Sequence, residues 1–249
     1  MLLVKLLATF VAVFVLAGDP LLGGLAVVVG LGLVVALCHR AVRANLPVEP
    51  TLVAIDLEPT PATADATAAV RALGFEQLAP GYELQTPLRP AAVPFVDRSR
   101  NLLAAVYQLQ QPTQRTYCDI VSLGQGGAVL TTANAPDAGN LPPPAGGRLQ
   151  ILADRGPAEL VTAHLAGLEL LRGTTFRTAR VAGFGADDFV RALTDCLRAQ
   201  RAGRDAAPLR TTLVALWRTL SGRSPHRAPL AAQLAQGTAV NGSSARAAH

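Results

Sequence analysis

The chain begins with two apolar runs, residues 2–17 and 21–38, which are separated by Gly18, Asp19 and Pro20. Each run has about the 17–25 apolar residues that a helix needs to cross a bilayer. One continuous span would place Asp19 near the bilayer centre, at a cost of about 2.5–3.5 kcal/mol. We therefore expect a transmembrane hairpin over residues 1–44, with Asp19 in its connecting turn.

The basic residues around this hairpin predict its orientation. Lys5 lies near the start of the first run, Arg40 and Arg43 follow the second, and the connecting turn has no basic residue. Because basic loops stay in the cytoplasm, we expect a bacterial inner-membrane protein with the bulk of the chain on the cytoplasmic side. The alternative is a signal peptide cleaved after Ala17, which leaves the remaining chain on the same side.

The segment after the hairpin is rich in proline. Residues 45–65 contain four prolines, which predicts a linker with one short strand at residues 52–57. Thr63 or Asp65 is placed to cap a helix over residues 66–73. Further short strand patterns lie at residues 75–78, 82–85 and 93–96. The prolines among these patterns favour positions at the edges of a sheet.

The clearest strand pattern lies in the middle of the chain. Runs rich in β-branched and aromatic residues occur at residues 102–109, 116–123 and 128–132. Turn residues separate the runs, which predicts an antiparallel meander. Alternate side chains of a strand point to opposite faces, so Asp119 and Ser122 are expected on different faces of the sheet. A further strand is expected at residues 149–152.

The last third of the chain is predicted to be helical. Helices are expected over residues 157–171, from Asp187 onward with an apolar stripe, and over residues 208–222. Residues 223–249 are small and polar and predict a disordered basic tail. Strands followed by helices predict an α+β fold over residues 66–222. We expect two layers, in which C-terminal helices cover one face of a mostly antiparallel sheet.

The net charge of +5 is concentrated at the C-terminal end of the chain. Residues 198–249 hold eight arginines and one acid, a local charge of +7. Such a segment is attracted to anionic lipid headgroups. The candidate membrane-surface residues are Arg40, Arg43, Arg198, Arg201, Arg204, Arg210 and Arg218. Dense basic clusters with interleaved aromatic residues are missing, so nucleic acid is not an expected partner.

His164 is the only histidine inside the predicted domain. On its helix it is aligned with Leu160 and Leu168, so it should point at the sheet and form hydrogen bonds there. The enzymatic alternative is a hydrolase or transferase that uses His164 with Asp119 or Ser122.

Other known signatures of chemistry do not fit the sequence. The glycine-rich residues 122–127 lack the Gly-x-Ser-x-Gly pattern of a nucleophile elbow, and the chain has no lysine after residue 5 to form a P-loop. The three cysteines are far apart, which fits a reducing compartment and leaves no metal-binding pair. We therefore predict neither a cofactor nor a metal site.

Taken together, the sequence predicts a non-enzymatic, membrane-anchored binding or scaffold protein that faces the cytoplasm. Its expected partners are membrane lipid, through two spans, and either another protein or further copies of itself in a membrane complex. The tethered hydrolase or transferase is one alternative. An anionic-lipid surface sensor that uses the arginine-rich end is the other.

Overall fold

The computed structural model describes residues 28–30, 32–37, 39–40, 44, 49–110, 114–136, 147–172, 174, 176–206, 208, 212–213 and 230–234. In this part of the chain the fold is α+β, as predicted. The strands are β1 (Leu52–Ala54), β2 (Glu76–Gln77), β3 (Tyr82–Leu84), β4 (Ala91–Asp97), β5 (Leu102–Leu109), β6 (Arg115–Leu123), β7 (Val129–Ala133) and β8 (Arg148–Ile151). The helices are α1 (Pro61–Ala72), α2 (Pro157–Leu171) and α3 (Ala186–Ala206), and a 3-10 turn spans Gln125–Gly127.

All eight described strands belong to one sheet. The order is β1-β3-β4-β5-β6-β7-β8, and β2 lies beside β3 along the same side of β4. Neighbouring strands are antiparallel except β7 and β8, which are parallel. The predicted meander of β5, β6 and β7 is confirmed, and so is a mostly antiparallel sheet.

Strand β4 occupies a different place from the one its proline predicts. It pairs with β5 on one side and with β2 and β3 on the other, so it is a central strand and not an edge strand. Pro94 has no N–H for a ladder, but it lies where β3 ends and β2 takes over the pairing. Its carbonyl oxygen accepts a hydrogen bond from Leu78 N at 3.0 Å. The gap between two short strands is where a missing donor costs least.

Helices lie on both faces of the sheet, so the prediction of two layers is wrong. Ala104 and Val106 of β5 pack in the cluster that contains Leu160 of α2. Ala105, between them, points to the other face and packs in the cluster that contains Phe189 of α3. A strand that is apolar on both faces must be covered on both, and the alternation in β5 requires a third layer.

Helix α1 begins earlier than the predicted residues 66–73. Oγ1 of Thr60 accepts a hydrogen bond from Thr63 N at 3.2 Å, which caps the helix, and Pro61 occupies its first position. Residues 45–65 are therefore not only a linker. They include this cap, and they include β1, which pairs with β3.

Helix α2 has the predicted bounds. Pro157 is at its first position, and Glu159 accepts a hydrogen bond from Gly156 N at 3.1 Å. Helix α3 carries Asp187 and Asp188 in its first turn, as predicted. Most of the predicted helix at residues 208–222 lies outside the described residues.

The predicted transmembrane hairpin is contradicted. Among the residues that the structure describes, no helix is both long enough and apolar enough to cross a membrane. A span needs about 20 apolar residues in one helix, and the described part of the second run is helical only at residues 28–30 and 32–37. The first run, residues 2–17, lies outside the described residues. The same finding corrects the description of the chain as a transmembrane protein, whereas the expected location and orientation stay untested predictions.

The predicted disordered tail is wrong for residues 230–234, which are helical and packed on the domain. Leu230 is buried against Leu130 and Leu171. Its N–H donates to Oε1 of Gln150 at 3.0 Å. One large apolar side chain with a paired backbone donor fixes a segment whose composition otherwise predicts disorder. The remaining tail residues lie outside the described part of the chain.

Candidate functional site

His164 lies in the core between α2 and the sheet. Its Nε2 atom is 2.9 Å from Oγ of Ser122 on β6, and its Nδ1 atom is 2.9 Å from Oγ1 of Thr132 on β7. All three side chains have 0% exposed surface. Burial lowers the pKa of His164 to about 3, so the imidazole is neutral.

A second polar side chain completes this hydrogen-bond network. Nε2 of Gln150 donates to Oγ1 of Thr132 at 2.6 Å and to the carbonyl oxygen of Ala163 at 3.1 Å. Since Thr132 accepts from Gln150, its own proton can be donated to Nδ1 of His164. In that arrangement the imidazole proton is on Nε2 and is donated to Ser122. Each buried polar group has a partner, which is the condition under which such a network stabilises a core.

The structure brings two of the three candidate catalytic residues together and separates the third. Ser122 and His164 are hydrogen-bonded, but they are closed to solvent. Asp119 is three positions from Ser122 on β6 and points to the opposite face of the sheet, where it lines a cavity. A general base needs contact with a substrate proton, and a fully enclosed His164 has none.

The opposite face of the sheet, beneath α3, contains a cavity of about 400 Å³. Phe189, in the first turn of α3, stacks on Tyr82 of β3 with ring centroids 6.0 Å apart. Residues one to three turns further along the helix line the cavity, and we call this space the α3 cavity. From the helix it is lined by Ala192, Leu193, Cys196, Leu197 and Gln200. From the sheet it is lined chiefly by apolar side chains, including Leu103, Ala105, Tyr107, Val121, Leu123 and Leu149.

Asp119 is the carboxylate in this apolar wall. Its Oδ2 atom accepts a hydrogen bond from the hydroxyl of Tyr107 at 3.0 Å. Its Oδ1 atom is buried and accepts no hydrogen bond from any residue that the structure describes. Burial raises the pKa of Asp119 to about 7, although the Tyr107 hydroxyl and the backbone N–H of Ala105 act in the opposite direction. The group therefore changes its charge near neutral pH.

The neighbouring groups of Asp119 remain protonated. Burial and the charge of Asp119 raise the pKa of the Cys196 thiol to about 11. The pKa of Tyr107 is raised well above its ordinary value for the same two reasons. Both groups can donate hydrogen bonds but carry no charge at neutral pH. Asp119 is thus the group whose charge dominates this part of the cavity.

The predicted membrane-surface arginines do not form one exposed patch in the described part of the chain. Arg201 is buried, and its Nε lies 2.6 Å from Oδ2 of Asp205. Arg198 forms ion pairs with Glu49 and Asp195, and Arg40 is exposed. The surroundings of the other four side chains are not described; these belong to Arg43, Arg204, Arg210 and Arg218. Binding of the arginines to anionic lipid stays a prediction.

Sequence reasoning missed Tyr107 and Cys196 as neighbours of Asp119. The signal that was available is the position of Asp119 itself, one acid among apolar and aromatic residues in the middle of a strand. A carboxylate there requires a partner on an adjacent strand. Tyr107 is that partner because Ala105 pairs with Asp119 in the register, which makes Tyr107 its diagonal neighbour.

The described residues include no group of three or more histidine, cysteine or acidic side chains arranged to hold a metal ion. Comparison with protein-family models, with curated proteins and with solved structures gives no match for this chain.

Proposed function

We propose that this domain is a binding protein that holds an apolar small molecule in the α3 cavity. The observation that carries the proposal is the space of about 400 Å³ beneath α3. Protein interiors are close-packed and contain few voids larger than a water molecule. Ligand pockets have volumes of about 300–1,000 Å³, apolar walls and a few convergent polar groups, and Asp119 and Tyr107 are such groups here.

Binding is favoured over catalysis because the candidate catalytic groups do not share an open site. The enclosed pair of His164 and Ser122 stabilises the packing of α2 on the sheet, while Asp119 lies on the other face. The expected role as a binding protein is thus kept in its general form, with a small molecule as the bound species. A scaffold role toward a partner protein stays a prediction.

Fluorescence of the neutral, polarity-sensitive dye prodan tests the proposal with the full-length protein. We expect saturable binding of one dye per chain, with the blue-shifted emission of an apolar environment. Ala192→Trp places a large side chain on the cavity wall and should reduce dye affinity about tenfold or more, because it fills the space that the dye occupies. Ala199→Trp, on an exposed position of the same helix, is the matched control.

The two variants decide whether the dye reports on the cavity. Lost binding in Ala192→Trp with normal binding in Ala199→Trp supports the proposal, provided that both variants unfold cooperatively like the wild type. Equal binding in all three proteins, or no saturable binding in the wild type, would overturn it.

A further inference from the structure

Asp119 gives the α3 cavity a chemical preference. A carboxylate can accept about four hydrogen bonds, yet Oδ2 has the Tyr107 hydroxyl as partner and Oδ1 has none among the described residues. The nearby backbone N–H of Ala105 favours the ionised form but leaves Oδ1 without a hydrogen bond. An ionised carboxylate in apolar surroundings is costly unless it is paired. The Tyr107 hydroxyl already donates to Oδ2. Oδ1 is therefore left for a hydrogen-bond donor from outside the described residues, such as a bound ligand.

The charged groups near Asp119 do not supply that donor. Among the residues that the structure describes, no cation contributes to the pKa of Asp119. The groups that face it from neighbouring elements are Tyr107 on β5 and Cys196 on α3, and both are neutral at pH 7. Tyr117, on the same face of β6, accepts a hydrogen bond from Arg115 at 3.1 Å. Arg148, which is exposed, lines the cavity from β8 but is not among the groups that shift the pKa of Asp119.

We infer that the α3 cavity selects an amphipathic amine, whose ammonium group pairs with the Asp119 carboxylate while its apolar part fills the space beneath α3. This inference rests on the proposed binding function and names the class of ligand. The ammonium supplies both the missing hydrogen-bond donor and the missing positive charge. Tyr107 acts as a positioning residue, because its hydrogen bond fixes the orientation of the carboxylate.

Two ligands of nearly equal shape test the inference, 4-phenylbutylamine and 4-phenylbutan-1-ol. Each is titrated against prodan bound to the full-length protein at pH 8, where Asp119 is ionised and an aliphatic amine, with a pKa of about 10, is protonated. We expect the amine to displace the dye at a concentration roughly tenfold lower than the alcohol, the size expected for a charge-assisted hydrogen bond. At pH 6 this preference should largely disappear as Asp119 takes up a proton.

Asp119→Asn keeps the shape of the side chain and removes its charge, so the amine and the alcohol should displace the dye at about equal concentrations. Asp195→Asn, at an exposed position of α3, is the control and should keep the preference. If both ligands displace prodan equally in the wild type, the inference is wrong and the proposed function stands. If prodan does not bind to the cavity at all, the proposed function itself fails.

Discussion

The imidazole of His164 lies 2.9 Å from the hydroxyl oxygen of Ser122, and neither side chain has any exposed surface. This contact joins α2 to the C-terminal end of β6. Since Thr132 bonds the other ring nitrogen, the imidazole is fully paired. The arrangement resembles a serine–histidine pair in chemistry, but its position in the core makes it a structural connection between a helix and two strands.

Ser122→Ala should reduce stability by about 1–3 kcal/mol, because it leaves Nε2 of His164 buried without its hydrogen-bond partner. Urea denaturation at pH 7 measures the loss. Thr162→Ala is the control, since this exposed threonine on α2 bonds only to its own helix, and it should change stability by about 0.5 kcal/mol or less. Equal effects of the two substitutions would contradict the structural role of Ser122.

The contribution of the neutral, buried His164 to the stability of the domain should be lost in acid. Its pKa is about 3 in the folded state, against an ordinary value of 6.5. Between these values the unfolded chain binds the proton and the folded chain does not. The contribution of His164 is therefore complete above pH 6.5 and falls below it, by up to about 1.4 kcal/mol per pH unit. His164→Gln should remove this part of the slope in urea denaturation between pH 4 and 7, and an unchanged slope would argue against a neutral buried imidazole.

The elements that the sequence predicted correctly are those set by local patterns. Strands β5 and β6 follow from alternation and turn residues, and Pro157 marks the start of α2. The inward direction of His164 follows from its alignment with Leu160 and Leu168 on the helix. Each of these signals lies within about ten residues, so no knowledge of distant contacts is needed.

The parts that were missed depend on contacts between distant segments. The apolar stripe of α3 predicts that the helix packs on the sheet but not which face of the sheet it covers. The two-layer prediction is wrong for that reason. The pairing of Tyr107 with Asp119 depends on the register of β5 against β6, which the sequence leaves open. The volume of the α3 cavity depends on how completely the side chains of α3 and of the sheet fill the space between them. The spacing of apolar residues along the chain does not predict this.

Asp119→Asn should stabilise the ligand-free protein more at high pH than at low pH. The pKa of Asp119 is about 7 in the folded state, against an ordinary value of 3.8. Between these values the folded chain binds the proton and the unfolded chain does not, so the contribution of Asp119 to stability falls as pH rises toward 7, whereas that of His164 rises over much of the same range. The difference between wild type and Asp119→Asn should grow over this range, to about 4 kcal/mol at most, and stay constant above it. Urea denaturation of both proteins from pH 4 to 8 checks this, and a constant difference would contradict it.

Tyr107→Phe should raise the pKa of Asp119 further, because it removes the hydroxyl that donates to the ionised carboxylate. The titration of the Asp119 carboxyl carbon, followed by ¹³C NMR, measures the shift. Tyr117→Phe is the matched control, since Tyr117 lies opposite Tyr107 in the register and its hydroxyl bonds to Arg115. A shift of equal size in both variants would show that the hydrogen bond from Tyr107 is not the cause.

Leu230→Ala should weaken the attachment of residues 230–234 to the domain. Leu230 is buried against Leu130 and Leu171, and truncation of a buried leucine to alanine costs about 2–5 kcal/mol. Faster hydrogen exchange at the Leu230 amide, which donates to Gln150, should accompany the loss, because the segment opens more often. Ala232→Ser, at an exposed position of the same segment, is the control and should leave the exchange rate unchanged. If exchange at residue 230 is as fast in the wild type as in Leu230→Ala, the segment is not held by this side chain.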